Sequence, residues 1–199
     1  MNVFVLCTGR CGSHSFFEAC RHIKNYTCDH EGRVQLLGGD RVDYPENHIT
    51  VDNRLSWFLG RLNNKFADDA YYVHLKRNRR DVAKSRYNDW LVGMMAAYSQ
   101  GILEHGQPTP GDELAVCFDY VDCITENIEH FLKDKTKKQT IWIEEAETDF
   151  QVFWDAIKAE GDLGAALNEF SLKHGETKIR RDVDATSFDI QFRKEYYGV

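Results

Sequence analysis

Short runs of apolar residues alternate along the chain with segments whose apolar positions recur at helical spacing. This is the pattern of parallel strands joined by crossover helices. Residues 2–7, with Val3-Phe-Val-Leu6 at their centre, read as a buried first strand. Thr8 to Gly12 follow as a turn and Ser13 to about Ile23 as a helix. Tyr26 to Asp29 suit a short second strand, and Asp52 is placed to cap a helix carrying Leu55, Phe58, Leu59, Leu62 and Phe66 on one face. Tyr71 to Leu75 give a third strand, followed by a long helical pattern from about Arg80 to Ile102. Two prolines and two glycines in 106–112 mark a loop, residues 113–132 a helix and Gln139 to Ile143 a fourth strand. Thr148 and Gln151 have capping-box spacing ahead of Phe150, Phe153, Trp154 and Ile157, and the C-terminal stretch reads as irregular. The pattern predicts an α/β fold, a single three-layer domain over residues 1–199 with a mainly parallel central sheet.

Composition narrows the class. With 42% hydrophobic and 29% charged residues in 199, the chain can bury a core of its own. A formal net charge of −7 excludes general nucleic-acid affinity, which needs clustered cations. Positive charge is nonetheless concentrated in Lys76, Arg77, Arg79, Arg80, Lys84 and Arg86, which points to a small anion or to a solvated basic helix face. The first apolar run lacks the leader of a signal peptide, and no stretch approaches the length of a membrane span. A cytoplasmic protein with no membrane partner is therefore expected, its six cysteines reduced. A metal site at Cys7, Cys11, Cys28 and His30 is the sharper alternative for the cysteines. No C-x-x-C or H-E-x-x-H spacing supports it, so no metal is expected.

The most informative stretch runs from Val3 to Ser15: strand, glycine-containing turn, helix start. Gly9 and Gly12 let the backbone wrap an anion, and the helix N-terminus offers free N–H groups. Arg10 adds a fixed charge, and Ser13 and Ser15 add hydroxyl donors. The ATPase form of this motif places a lysine directly after its last glycine; here Ser13 and His14 follow Gly12. Farther along, Arg77 stands at a strand end, where open α/β sheets bind ligands, and Ser85 follows about two turns into the next helix.

Gly9-Arg-Cys-Gly-Ser-His-Ser15 resembles the 5′-phosphosulfate loop of the sulfotransferases. Arg77-Asn-Arg-Arg-Asp-Val-Ala-Lys-Ser85 resembles their 3′-phosphate motif, with the same spacing from arginine to serine. The resemblance covers roughly the first ninety residues and departs at two positions, Arg79 for the usual proline and His14 for the usual threonine. It implies a fold related to the nucleotide kinases, and 3′-phosphoadenosine 5′-phosphosulfate as donor. Gly9, Arg10, Cys11, Gly12, Ser13, His14 and Ser15 would hold the 5′ side, and Arg77 and Ser85 the 3′-phosphate. It further implies sulfuryl transfer to a hydroxyl or amine of a small-molecule or carbohydrate acceptor. Arg10 would stabilise the leaving group.

Asp29-His-Glu31 follows the second strand, where many carbohydrate members carry a catalytic glutamate. Glu31 is the first candidate for the base and His30 the second, since imidazole titrates in a suitable range. The family's glycine-rich closing loop is not recognisable, and Lys173-His-Gly175 or Lys178 to Arg181 are the segments that could replace it. Trp57, Trp142 and Trp154 read as core, Tyr87 and Trp90 as core or pocket lining, and Glu144-Glu-Ala-Glu147 as a solvated start to a helix or as a site. A nucleotide or small-molecule kinase on a related phosphate-loop fold, or a sulfotransferase-like nucleotide binder without turnover, is the competing function.

Overall fold

The computed structural model describes residues 1–90, 92–104, 112–172, 174 and 184–197. They fall into two compact units, Met1–Arg77 with Thr125–Gly175, and Asn78–Ile124 with Glu176–Val199. The sequence pattern predicts a single domain over 1–199.

The first unit is built on five strands, β1 Val3–Cys7, β2 Thr27–His30, β3 His48–Val51, β4 Tyr71–Lys76 and β5 Lys138–Trp142. Every neighbouring pair is parallel, in the order β2-β3-β1-β4-β5. The fold class is thus the α/β one expected. The pairing sets His30 beside Val51, Cys7 beside Leu75 and Lys76 beside Trp142, so the carboxyl ends of all five strands lie along one edge.

Residues buried on both faces explain the apolar run of β1, all five of whose residues are buried. Alternation sends Tyr71 and Tyr72 to opposite faces. On one face, Phe4 packs against Tyr44, Tyr72 and Phe66 of α2 (Leu59–Phe66), and Tyr72 meets Phe131 at the end of α5 (Glu113–Leu132) edge-on. On the other, Tyr71 meets Phe153 of α6 (Ala146–Ala156), and Phe16 of α1 (Ser13–Cys20) packs with Phe150, Phe153 and Phe170. Each such buried phenylalanine contributes about 2–3 kcal/mol of transfer free energy. The sheet is therefore the middle of three layers, with the short α7 (Leu163–Asn168) completing the α1 side.

Several expectations need correction. β3 was not foreseen, so the third strand of the sequence pattern is the fourth of the structure. Asp52 does cap, accepting the Arg54 amide, but it opens a 3₁₀ turn over Asn53–Trp57 before α2. Thr148 does not start a helix: α6 begins at Ala146, and the Asp149 carboxylate accepts the Trp142 amide. Trp154 is buried, whereas Trp57 and Trp142 are 36% and 42% exposed and are not core.

The second unit contains α3 (Arg79–Asn88), α4 (Met94–Ala96) running into a π-helical turn over Ala97–Ile102, the first part of α5, and α8 (Ala185–Phe192). The long helix expected from Arg80 to Ile102 is interrupted, with Gly93 at φ 54 before α4. Nor is the C-terminus irregular throughout: Asp184 caps α8 by accepting the amides of Thr186 and Ser187. Phe118 packs with Phe188 and Phe192, and the Arg79 guanidinium lies 4.4 Å from the Phe118 ring centre. Arg79 binds Asp122 through two nitrogens and also reaches Asp189, which takes further bonds from Arg80 and Arg193. Trp90 is buried.

Candidate functional site

β1 ends at Cys7, and the chain then turns through Gly9, Arg10 and Gly12, all at positive φ (69, 58 and 84). Glycine adopts such angles freely, whereas Arg10 is held there at a cost of about 1 kcal/mol. The turn is fastened below, where Ser56 donates to the Cys7 carbonyl at 3.2 Å, and above, where Arg77 Nη1 donates to the Arg10 carbonyl at 3.2 Å. Arg77 follows β4, so the two cations expected from the sequence to bind anions are joined across the ends of neighbouring strands.

Gly12 is the N-cap of α1 and provides no side-chain cap, which leaves the first-turn amides of that helix to other acceptors. Ser13 and Ser15 are half-buried, His14 is exposed and Cys11 is fully buried. Cys11 thus offers the loop its backbone rather than its thiol. None of the six cysteines forms a disulfide. Among the described residues, no group of three or more His, Cys, Asp or Glu side chains is placed to hold a metal ion.

Glu31 and His30 arrive from β2, two strands away in the sheet. His30 Nε2 lies 3.3 Å from Ser13 Oγ, which ties the end of β2 to the start of α1. Burial pushes the His30 pKa below the ordinary imidazole value, with Glu31 opposing the shift and His14 adding to it. The imidazole is therefore neutral near pH 7 and able to accept a proton. His14 is close by, its ring centre 5.3 Å from that of His30 and 5.9 Å from that of His174.

Glu31 sits at φ 56, an uncommon angle for a residue with a side chain. The turn around it is tight: a Cβ on Gly32 would lie 2.5 Å from Asp29 Oδ2. Asp29 is itself held by Thr50 Oγ1 at 2.6 Å and by His48 at 3.1 Å. Burial alone would raise the Asp29 pKa, but these partners outweigh it and the carboxyl stays below its usual range. The Glu31 carboxylate accepts from Asn53 Nδ2 at 3.1 Å and from Arg54 Nη1. Asn53 and Arg54 come from the turn after β3, and the sequence pattern had given neither a role. Beneath them, the buried Asp52 pairs with the buried Arg41 at 2.5 Å.

Thus Gly9 to Ser15, His30, Glu31 and Arg77 gather along the carboxyl edge of one sheet. Ser85 belongs to α3 in the other unit. Of the segments suggested to close over a ligand, His174 is described and is held by Glu169 at 2.8 Å; Lys173, Gly175 and Lys178 to Arg181 lie outside the described residues.

A parallel five-stranded sheet with a glycine turn after its central strand defines an α/β protein. No protein-family model and no curated protein matches the sequence. Among solved structures, the mouse sulfotransferase SULT7A1 complexed with PAP is similar in fold. It aligns with a TM-score of 0.54 and 12% identity over 91% of this chain and 68% of that one.

Proposed function

We propose that the protein is a sulfotransferase, moving a sulfuryl group from 3′-phosphoadenosine 5′-phosphosulfate to a hydroxyl or amine of a small-molecule or carbohydrate acceptor. The observation that carries the reading is the Arg77–Arg10 contact, which sets the strand-end arginine of the second motif against the loop of the first. The fold likeness to a PAP-bound sulfotransferase supports it. No helix among the described residues is long and apolar enough to cross a membrane, and cytoplasmic residence is part of the proposal.

In this scheme Gly9 to Ser15 wrap the 5′-phosphosulfate with backbone amides and hydroxyls, and Arg10 offsets charge on the departing phosphate. Arg77 takes the 3′-phosphate, a role that the sequence resemblance also gives to Ser85. The acceptor oxygen bonds to sulfur as the bond from sulfur to the 5′-phosphate oxygen breaks. Glu31, or His30 in its place, receives the acceptor's proton. Such a transfer asks the protein chiefly for position and charge, with no metal.

Calorimetry without magnesium tests the reading. 3′-Phosphoadenosine 5′-phosphate is expected to bind more tightly than AMP or ATP. Arg77→Ala should weaken it by about 2 kcal/mol while barely changing AMP, the scale of one lost charge-assisted bond. Equal affinities for the bisphosphate and AMP would refute the assignment.

A further inference from the structure

The carboxylate proposed as the base does not stand alone. Both Glu31 oxygens are engaged, Oε1 by Asn53 and Oε2 by Arg54. Arg54 is 35% exposed and spends only Nη1 on this contact. Its Nε and Nη2 donate to nothing among the described residues. A guanidinium has five N–H donors in a planar fork suited to carboxylate, sulfate or phosphate oxygens. Arg54 therefore presents open donors at the rim of the strand ends, beside the group that would take the acceptor's proton. Arg33, two residues beyond Glu31, is committed elsewhere: it donates to the Asp40 carbonyl and lies 5.0 Å from the Tyr44 ring centre.

We infer that Arg54 is an acceptor-binding residue, and that the acceptor is a hydroxyl compound carrying an anionic oxygen group, a carboxylate or a sulfate, near the hydroxyl that reacts. This rests on the sulfotransferase reading and deepens it. When the acceptor's anion takes the Arg54 fork, the guanidinium is drawn from Glu31 Oε2, and that oxygen becomes available to the acceptor's hydroxyl proton. Asn53 keeps Glu31 oriented through Oε1. A neutral acceptor has nothing to offer Arg54, and the carboxylate then stays paired. The arrangement thus selects for charge and couples the selection to release of the base.

The test uses the whole chain saturated with 3′-phosphoadenosine 5′-phosphate, so that added anions do not compete for the loop. Two matched pairs of probes serve: methyl β-D-glucuronide against methyl β-D-glucoside, and 4-hydroxybenzoate against 4-hydroxybenzamide. In each, the charged member is expected to bind at least about tenfold more tightly and to shift the Arg54 side-chain Nε–H resonance. Arg54→Gln should abolish the preference, and Arg54→Lys, which keeps the charge without the fork, should restore part of it. Equal binding of charged and neutral members, absence of binding by both charged probes, or a preference that survives Arg54→Gln overturns the inference and leaves Arg54 a structural partner of Glu31. Nucleotide affinity, measured first, separates the two levels of argument. Failure to bind 3′-phosphoadenosine 5′-phosphate removes the sulfotransferase reading and this inference with it. Normal nucleotide binding without charge selection removes only the role of Arg54.

Discussion

Replacing Gly12 by alanine strikes the loop at the point where backbone freedom and space are both needed. The residue lies at φ 84, and a Cβ built there would sit 2.5 Å from Cγ1 and Cδ1 of Ile143, which follows β5. The left-handed angle alone costs alanine about 1 kcal/mol relative to glycine. Ile143 must also leave its rotamer or push back the turn, for about another 1 kcal/mol. Gly12→Ala should therefore destabilise the protein by about 2 kcal/mol in urea unfolding. It should also weaken 3′-phosphoadenosine 5′-phosphate, because Gly12 carries the first amides of α1. The two parts can be separated. In a double-mutant cycle with Ile143→Ala, the clash disappears and the backbone cost remains, so the pair should be coupled by about 1 kcal/mol. A single mutant within about 0.5 kcal/mol of the parent, or strict additivity in the cycle, would refute the reasoning.

Glu31→Gln should keep fold and nucleotide affinity while slowing single-turnover transfer by about a hundredfold or more, and His30→Asn should cost less; the reverse order would move the base to His30. His74, buried in β4, has its pKa pushed down to about 4 by burial first and by Lys76 second. Its native pKa is depressed below that of the unfolded chain, so the stability it permits is complete above about pH 6.5 and is lost as pH falls toward 4, a loss of about 3 kcal/mol. His74→Gln should flatten the urea stability profile across that window, and an unchanged slope would refute the assignment. In the second unit, Asp189→Asn leaves Arg79, Arg80 and Arg193 without their shared carboxylate and should cost about 2 kcal/mol, a figure reduced for the exposure of the arginines. A loss below about 0.5 kcal/mol would show the cluster to be energetically idle.

The stretch around Gly9 to Ser15 was legible because its information is local: a fully apolar strand, glycines where the chain must turn, then a helix start. β3 was hidden for a physical reason. Its four residues include His48 and Thr50, polar side chains that break the apolar run, yet both are buried and bonded, to Thr27 and Asp29. A strand buried on two faces can carry such residues when a neighbouring strand satisfies them, and that neighbour is invisible in sequence. Asn53 and Arg54 follow β3, so a sequence in which that strand is hidden does not set them beside Glu31. The β-branched Ile49-Thr-Val51 was the available signal. Gly93 likewise marked the break before α4, and Asp184 the cap of α8.

The basic run from Lys76 to Arg86 shows why charge in a sequence is a poor guide until its partners are known. Lys76 pairs with Glu129 and lies 5.0 Å from the Trp142 ring centre. Arg79 and Arg80 are committed to Asp122 and Asp189, and Arg86 donates to Tyr120. Most of the positive charge that looked like an anion site is thus spent within the protein. Arg79 is the sharpest case, because it occupies the position where the sulfotransferase motif has proline. Proline there would fix the backbone but could not reach two aspartates; arginine gives up that rigidity and ties α3 to α8 instead. Arg77 belongs to a different structural context, against the Arg10 carbonyl at the carboxyl edge of the sheet. Its distinction within the run comes from position rather than charge, and position is what a ligand site at the strand ends requires.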